Sequence, residues 1–184
     1  MNKHMGNYFG VRSEYNIDFS YDKESNSYGT SDIDLFESRV IHRSQQDNFW
    51  TFKHNLAFFT PEDSLELTAN LPAWFEDNFA ATHAMPVSGK MDIGRWFRPT
   101  EFAFYLRGSE WKVKYGDIYQ YIYFDTKEKI EFVKFAPTPM IEFYLGSISQ
   151  EKNGSKRKPI EWFYDHFGKG LKKNILKEID NAVV

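Results

Sequence analysis

The middle of the chain alternates apolar and polar residues with the period of β-strands. In residues 48–61 ("NFWTFKHNLAFFTP"), Trp50, Phe52 and His54 alternate with the positions between them, and the segment then becomes fully apolar before it ends at a proline. The same period of two recurs at residues 64–72, 100–108, 111–126 and 129–137. Short turns rich in Gly, Ser and Asp separate these segments, which predicts a β-sandwich, jelly roll or small barrel.

The two ends of the chain have different patterns. Residues 16–39 mix single aromatic residues with acidic ones and a Ser/Asn/Gly cluster, which predicts either a hairpin with a polar turn near residues 23–30 or an irregular arm. Near the other end, Thr138 can cap a helix that begins at Pro139. Helical spacing returns in residues 159–167 and 171–182, and the second of these carries an apolar stripe of Leu171, Ile175, Leu176 and Ile179.

Together these patterns predict a mainly β fold with two or three C-terminal helices. The β part is expected to be a distorted β-sandwich, a β-clip or a jelly-roll-like barrel. A chain of 184 residues is long enough for one domain with a sizeable core. We expect a single domain made of an N-terminal arm or hairpin (1–47), a β core (48–137) and a helical tail (138–184) that packs on the core.

Composition narrows the classes of function. Aromatic residues make up 18% of the chain, so the core must be largely aromatic, and the absence of cysteine excludes disulfides, thiolate metal sites and cysteine nucleophiles. A net charge of −3 does not favour general binding to nucleic acid. No apolar run approaches the ~20 residues of a membrane span, and the first 16 residues lack the apolar segment of a signal peptide. We therefore expect a cytoplasmic protein, in the host cytoplasm or the virion if the chain is viral.

The sequence lacks the common motifs of metal, cofactor and nucleophile sites. The five histidines have none of the spacings typical of metal ligands, so we expect no metal site. The sequence also lacks a nucleophile elbow, a P-loop and a dinucleotide fingerprint, so we expect no cofactor. The basic run "GSKRKP" (154–159) is either a solvated loop or a phosphate-binding loop.

The strongest candidate for a site is the stretch "GKMDIGRWFRPTEFAFYL" (89–106). It sets charged residues around an aromatic pair and then continues into an apolar strand. One interpretation is a structural corner in which Asp92 pairs with Arg95 or Arg98. The other is a pocket, formed with Lys90 and Trp96, for a phosphorylated or aromatic ligand such as a nucleotide. His83 and Trp74, in the preceding segment, would then form the opposite wall.

Part of the chain resembles a known enzyme family. In residues 58–126, "SGKMDIG" (88–94) is similar to the A-G-x-x-D-x-G-type hairpin, and "GDIYQYIYF" (116–124) to the G-D-x-I-x-Q-x-x-F strand, of the dUTPase and dCTP-deaminase family. This resemblance implies the β-clip fold, commonly trimeric. It also implies that Asp92 is the catalytic aspartate that meets the sugar and the attacking water, and it adds Gln120 to the candidate ligand-binding residues.

The chain also departs from that family. Residues 77–82 ("DNFAAT") lack the serine-containing phosphate motif, no glycine-rich C-terminal arm is present, and "FAFYL" lacks the glutamate that deaminases use as a base. General acid or base work needs such partner groups, so the sequence favours binding over catalysis. If the chain were an enzyme, the resemblance implies a nucleotide hydrolase of this type.

A second resemblance covers the whole chain. "WTFKHNLAFF" with "MDIGRWFRP" and the proline-initiated tail looks like a group of small uncharacterised proteins of tailed bacteriophages. Two functions follow from these observations. The first is a non-catalytic or degenerate protein that binds a nucleotide or another phosphorylated small molecule. The second is a virion-structural or host-interaction protein that acts through protein contacts, and in either case we expect a homo-oligomer, a trimer if the β-clip fold is present.

Overall fold

The computed structural model describes residues 6–95, 98–154, 158–159, 162, 165 and 169–183. Strands in this part of the chain are β1 (Tyr8–Arg12), β2 (Ile17–Asp22), β3 (Ser27–Thr30), β4 (Val40–Ser44), β5 (Phe49–Ala57), β6 (Glu66–Leu71), β7 (Ala84–Pro86), β8 (Gly89–Asp92), β9 (Pro99–Leu106), β10 (Glu110–Val113) and β11 (Ile118–Phe124). Helices are α1 (Ile33–Arg39), α2 (Phe79–His83), α3 (Pro139–Gly154) and α4 (Lys169–Asn181).

The strands form three sheets, which confirms the predicted mainly β fold with helices near the C-terminus. Their orders are β1-β11-β6-β8, β10-β2-β3 and β4-β5-β9-β7. Strand β9 has the alternation that the sequence predicts, because Phe102, Phe104 and Leu106 are buried while their neighbours are partly exposed. The described part of each sheet is open, with an edge strand on both sides.

The described residues fall into two compact units. Unit 1 takes its residues from segments 1–55, 68–90 and 100–123, and unit 2 from segments 56–67, 91–99 and 124–184. The core of unit 1 is aromatic, as the composition predicts, with fully buried Phe19, Trp50, Phe52, Phe102, Phe104, Trp111 and Tyr119. The indole N–H of Trp111 donates to the carbonyl of Ala80 at 3.0 Å, so this buried ring leaves no polar atom unsatisfied.

The core of unit 2 is formed by helices α3 and α4. Ile141 and Ile175 are fully buried against each other's helices, and Ile179 joins them. Thr138 accepts from the backbone N–H of Ile141 at 3.3 Å, which confirms the predicted cap. Both predicted helices that start near 139 and 171 are therefore present. The predicted helix at residues 159–167 lies largely outside the described residues.

The N-terminal third is more regular than one of the two sequence interpretations allowed. Strands β2 and β3 pair antiparallel as the predicted hairpin, with the polar turn at residues 23–26. Helix α1, which follows directly, is not among the elements that the sequence pattern predicts. Its N-cap Asp32 accepts from the backbone N–H of Leu35 at 3.0 Å, and its one buried side chain is Phe36.

The strand predicted at residues 129–137 is wrong. Apart from a single bridge between Phe135 and Val183, this segment pairs with no strand in the described part of the chain. Its aromatic residues pack ring against ring instead, Phe132 against Phe124 at 5.7 Å and Phe135 against Phe59 at 5.6 Å. A period of two reports which side chains meet an apolar surface, whereas a strand also needs a backbone partner, which the pattern does not reveal.

Candidate functional site

Asp92, the predicted catalytic residue, holds the turn that follows strand β8. Its Oδ2 atom accepts from the Ser64 hydroxyl at 2.6 Å. Its Oδ1 atom accepts from the backbone N–H groups of Leu65 and Gly94, both at 3.0 Å, and of Arg95 at 3.3 Å. One carboxylate therefore joins the loop before β6 to the turn after β8.

The titration of Asp92 reflects this role. Partial burial pushes its pKa upward, but the hydrogen bonds from the Ser64 hydroxyl and from three backbone N–H groups bring the pKa below its ordinary value. The group is therefore ionised at neutral pH and uses both oxygens as acceptors within the turn. Asp92 therefore has a structural role in this corner, but these partners are a hydroxyl and backbone N–H groups, whereas the guanidinium of Arg95 pairs with Asp165.

Lys172 and Gly94 complete the corner that Asp92 forms with the loop before β6. The Nζ atom of Lys172, on α4, donates to the carbonyl oxygens of Glu62 and of Gly94, the second at 2.9 Å. Gly94 is buried, and a Cβ atom there would lie 2.6 Å from the Cα of Ser64. The turn can approach the loop this closely only because residue 94 has no side chain.

The cations of the stretch 89–106 belong to both units and differ in exposure. The guanidinium of Arg95 lies 2.7 Å from the carboxylate of Asp165, and both groups are largely exposed. Lys90 is exposed on β8, in unit 1, whereas Arg95 and the half-buried Arg98 belong to unit 2. Trp96 lies outside the described residues.

Gln120, the ligand-binding candidate on β11, is 1% exposed because of a bulge. Val11 of β1 pairs with Gln120 and Arg12 pairs with Ile118, so Tyr119 is an extra residue on its strand. The bulge turns both Tyr119 and Gln120 into the core of unit 1. Alternation along the sequence cannot show this, since it assigns neighbouring residues to opposite faces.

Inside unit 1, Gln120 belongs to a buried polar network around His54. The backbone N–H of Asn70 donates to Gln120 Oε1 at 3.0 Å, so the amide nitrogen of Gln120 is the end that lies 3.3 Å from His54 Nε2. An amide nitrogen can only donate, which makes His54 Nε2 an unprotonated acceptor. The hydroxyl of Thr100 lies 3.4 Å from the ring nitrogens. His54 is thus a hydrogen-bonded residue of strand β5.

His83 is at the end of the short helix α2. Its ring stacks on Phe79 with the ring centres 3.6 Å apart, and its Nδ1 atom lies 2.9 Å from the hydroxyl of Thr82. The N-cap of helix α2 is Asn78, whose side chain accepts from the backbone N–H of Ala81 and donates to the carbonyl of Ile118. Residues 77–82, in which the family would have its phosphate motif, are used here to build this helix.

A cleft in unit 1 has the character of a ligand site, and the sequence analysis did not identify it. Its volume is about 450 Å³, within the usual range for small-molecule pockets. Its lining combines four rings and two aliphatic side chains with four hydrogen-bonding side chains: Tyr21, Tyr28, Phe36 and Trp50; Val40 and Ile41; Asn26, Glu37, His42 and Gln45.

The polar side chains of the cleft use only part of their hydrogen-bonding capacity on one another. The hydroxyl of Tyr21 donates to Asn26 Oδ1 at 3.0 Å, and the hydroxyl of Tyr28 donates to Glu37 Oε1 at a long 3.3 Å. A carboxylate has about four acceptor positions, so Glu37 keeps acceptor capacity for a ligand. Tyr28 packs one side on Phe36, with ring centres 4.7 Å apart, and remains 46% exposed.

His42 is the unusual member of the lining. Its ring stacks on Trp50 at 3.9 Å and meets the edge of Tyr21 at 4.7 Å. Its Nε2 atom is buried, and no group in the described part of the chain hydrogen-bonds to it. Burial lowers the pKa of His42 below its ordinary value, so the ring is neutral at pH 7. A buried nitrogen without a partner costs stability, which is typical of functional sites.

The cleft is difficult to find in the sequence because its residues come from separate segments. Three lie in the β2–β3 hairpin, and the others lie on α1, on β4, in the turn after β4 and at the start of β5. None of these segments carries a local motif. The one usable signal is the pair of tyrosines, Tyr21 and Tyr28, on either side of the polar turn.

Unit 1 also exposes a group of rings that we call the aromatic surface: Tyr8, Trp74, Phe75, Tyr121 and Tyr123. Trp74 stacks on Tyr121 with ring centres 5.6 Å apart, and Tyr8 stacks on Tyr123 at 4.5 Å. Trp74 is 55% exposed and Phe75 is 71% exposed. Grouped exposed rings of this kind mark interaction sites more often than single exposed apolar residues do.

Comparison with known proteins assigns no function to these sites. No helix in the described residues combines the length and the apolar character needed to cross a membrane. No family model, no curated protein and no solved structure matches this chain.

Proposed function

We propose that this protein is a non-catalytic small-molecule-binding protein and that its ligand occupies the cleft of unit 1. The observation that carries the proposal is the composition of that cleft, in which aromatic walls surround a few hydrogen-bonding groups. Binding pockets for small ligands generally have this composition, with rings supplying contact area and a small number of polar groups setting orientation.

The cleft favours a flat ring that carries N–H donors. Tyr28, which is largely exposed, offers a ring surface against which a planar ligand can pack, at about 0.5–1.5 kcal/mol per aromatic pair. Glu37 offers acceptors for N–H groups on the edge of such a ring, and Gln45 can donate or accept. Nucleobases combine both features, so the ligand class that fits is a nucleobase or nucleoside. The resemblance to dUTPases points to the same class and stays a prediction.

Phosphate is not expected to add affinity in this cleft. Its described lining contains no Lys or Arg, and its one charged side chain is the carboxylate of Glu37. A phosphorylated ligand would bring like charges together, which weakens binding. The proposal therefore keeps the nucleotide-type ligand of the sequence analysis but assigns recognition to its base.

Replacing Glu37 tests this proposal. We expect Glu37→Gln to weaken the binding of the best nucleoside about tenfold, because hydrogen bonds to a charged group are worth about 1.5–3 kcal/mol. Isothermal titration calorimetry with guanosine, cytidine, adenosine, uridine and their monophosphates measures this. Asp34→Asn, an exposed carboxylate on the same helix α1, is the matched control and should leave affinity unchanged.

Either of two outcomes would contradict the assignment. If every monophosphate binds clearly more tightly than its nucleoside, the recognition group is the phosphate and the cleft is the wrong site. If no compound binds, the cleft is a structural groove. An effect of Asp34→Asn equal to that of Glu37→Gln would show that helix α1 has been altered as a whole.

A second function is favoured by the aromatic surface. Trp and Tyr are enriched among the residues that dominate protein interfaces, and four such rings lie together here with Phe75. The occupant that we propose is a second copy of this chain, as expected from the predicted homo-oligomer. This would be the interaction protein of the second sequence hypothesis.

A double replacement on the aromatic surface tests self-association. We expect the wild type to sediment as an oligomer and Trp74→Ser/Phe75→Ser to shift the equilibrium to the monomer by at least about tenfold, since central interface rings cost about 2 kcal/mol or more when removed. Tyr115→Ser, another exposed ring of unit 1, is the control. A monomeric wild type at high concentration would contradict self-association through this surface.

A further inference from the structure

Unit 2 contains a second cavity, separate from the cleft of unit 1. Its volume is about 300 Å³, and its wall is made almost entirely of apolar side chains. Two ring groups line it: Phe58, Phe124 and Phe132 pack within 5.7–6.3 Å of one another, and Phe59 packs on Phe135 at 5.6 Å. Such a wall suits an alkyl or aryl group.

The charged groups of this cavity all have one sign. In the described residues, its lining includes the carboxylates of Glu131 and Asp180 and no Lys, Arg or His. Lys129 lies 2.7 Å from Glu131 and partly neutralises it, although both side chains are mostly exposed to solvent. Asp180 has no ion-pair partner in the described part of the chain.

Asp180 also occupies an unfavourable position in its helix. It lies in the last turn of α4, where the helix dipole places partial negative charge, and that turn has no basic residue. The same turn contributes Ile179 to the cavity wall. A cation bound beside Asp180 would therefore be stabilised both by the carboxylate and by the carbonyl end of the helix.

We propose that the cavity of unit 2 binds an amphiphilic amine. Its alkyl or aryl group fills the aromatic pocket, and its protonated nitrogen lies beside Asp180 and Glu131. The ring faces that line the pocket add cation–π attraction for a nitrogen close to them. This site differs from the cleft of unit 1 in both place and ligand, and its test does not depend on that proposal.

Three ligands of equal chain length separate the apolar and the charged contributions. In calorimetric titrations of the full chain, we expect octylammonium to bind more tightly than octanol, and octanoate to bind most weakly. We expect Asp180→Asn to weaken octylammonium binding about two- to fivefold and to leave octanol unchanged, as the loss of one partly exposed ion pair predicts. Glu142→Gln, an exposed carboxylate on α3 outside the lining, is the matched control and should change neither.

Other outcomes would overturn the proposal. Equal affinity for octylammonium and octanoate would show that charge plays no part in the site. No octylammonium binding up to its solubility limit would show that the cavity takes no such ligand. An Asp180→Asn variant that binds octylammonium as well as the wild type does would remove the assigned position of the nitrogen. Because Asp180 is exposed, this variant is expected to fold normally.

Discussion

Gly94→Ala is expected to destabilise the protein by about 3 kcal/mol, one of the two largest effects that the structure predicts. The added Cβ would lie 2.6 Å from Ser64 Cα and 2.7 Å from both Ser64 N and Glu62 O. All three are backbone atoms, so no side-chain rotation can relieve the contact. The loop and the turn would have to separate, and the hydrogen bonds of Asp92 across them would lengthen.

Urea denaturation of purified variants measures this loss. Gly89→Ala is the matched control: it lies five residues earlier, and a Cβ there meets nothing within 4 Å, so its free energy of unfolding should change by less than about 0.5 kcal/mol. Equal, small effects of the two replacements would show that the corner is not closely packed, and the structural interpretation of Asp92 would lose its basis.

Acid should destabilise the protein through His54. Burial lowers the pKa of His54 from its ordinary value of 6.5 to about 4. The unfolded chain therefore binds this proton more readily than the folded protein does, so stability is full above pH 6.5 and is lost as the pH falls toward 4. The difference corresponds to about 3 kcal/mol. The hydrogen-bond network around His54 independently predicts a loss of stability in acid, because a protonated Nε2 atom cannot accept from Gln120.

Denaturation curves at several values of pH between 7 and 4 test this, with His54→Gln for comparison. The variant should lose about 3 kcal/mol less than the wild type across this range. Burial also lowers the pKa of His42, which adds to the loss in both proteins and cancels in the difference. The pKa of Asp92 is below its ordinary value of 3.8, so its contribution is lost mainly at lower pH. Equal pH dependence of the wild type and His54→Gln would contradict the account.

The regular alternation of apolar and polar residues predicts much of the fold. The prediction fails where the backbone is locally irregular. Strand β9 and helix α4 have side chains that face the core at one constant period, so the sequence shows them directly. Strand β6 does not, because Asn70 adopts a left-handed φ of 57° and is buried. The bulge at Tyr119 likewise changes which side chains of β11 face the core. Such exceptions depend on the partner strand and leave no trace in the period.

The candidate sites were less predictable than the fold. The charged residues of the stretch 89–106 are close in sequence, which predicts a site, but Asp92 and Gly94 form a close turn there. The cleft of unit 1 brings together residues of two sheets and of helix α1, from segments up to 29 residues apart, from Tyr21 to Trp50. Its residues acquire a common environment only in the folded chain. A single sequence shows local clusters, whereas this site is a product of topology.

Amide chemical-shift mapping of the full chain with unlabelled nucleosides tests the central claim most directly. The account predicts that a nucleoside shifts the amide signals around Tyr28, Glu37 and Gln45, that its monophosphate does so no more strongly, and that Glu37→Gln weakens both responses. Shifts confined to residues 90–98, with a clear preference for the monophosphate, would contradict this account. The binding site would then lie in the charged stretch that begins on β8.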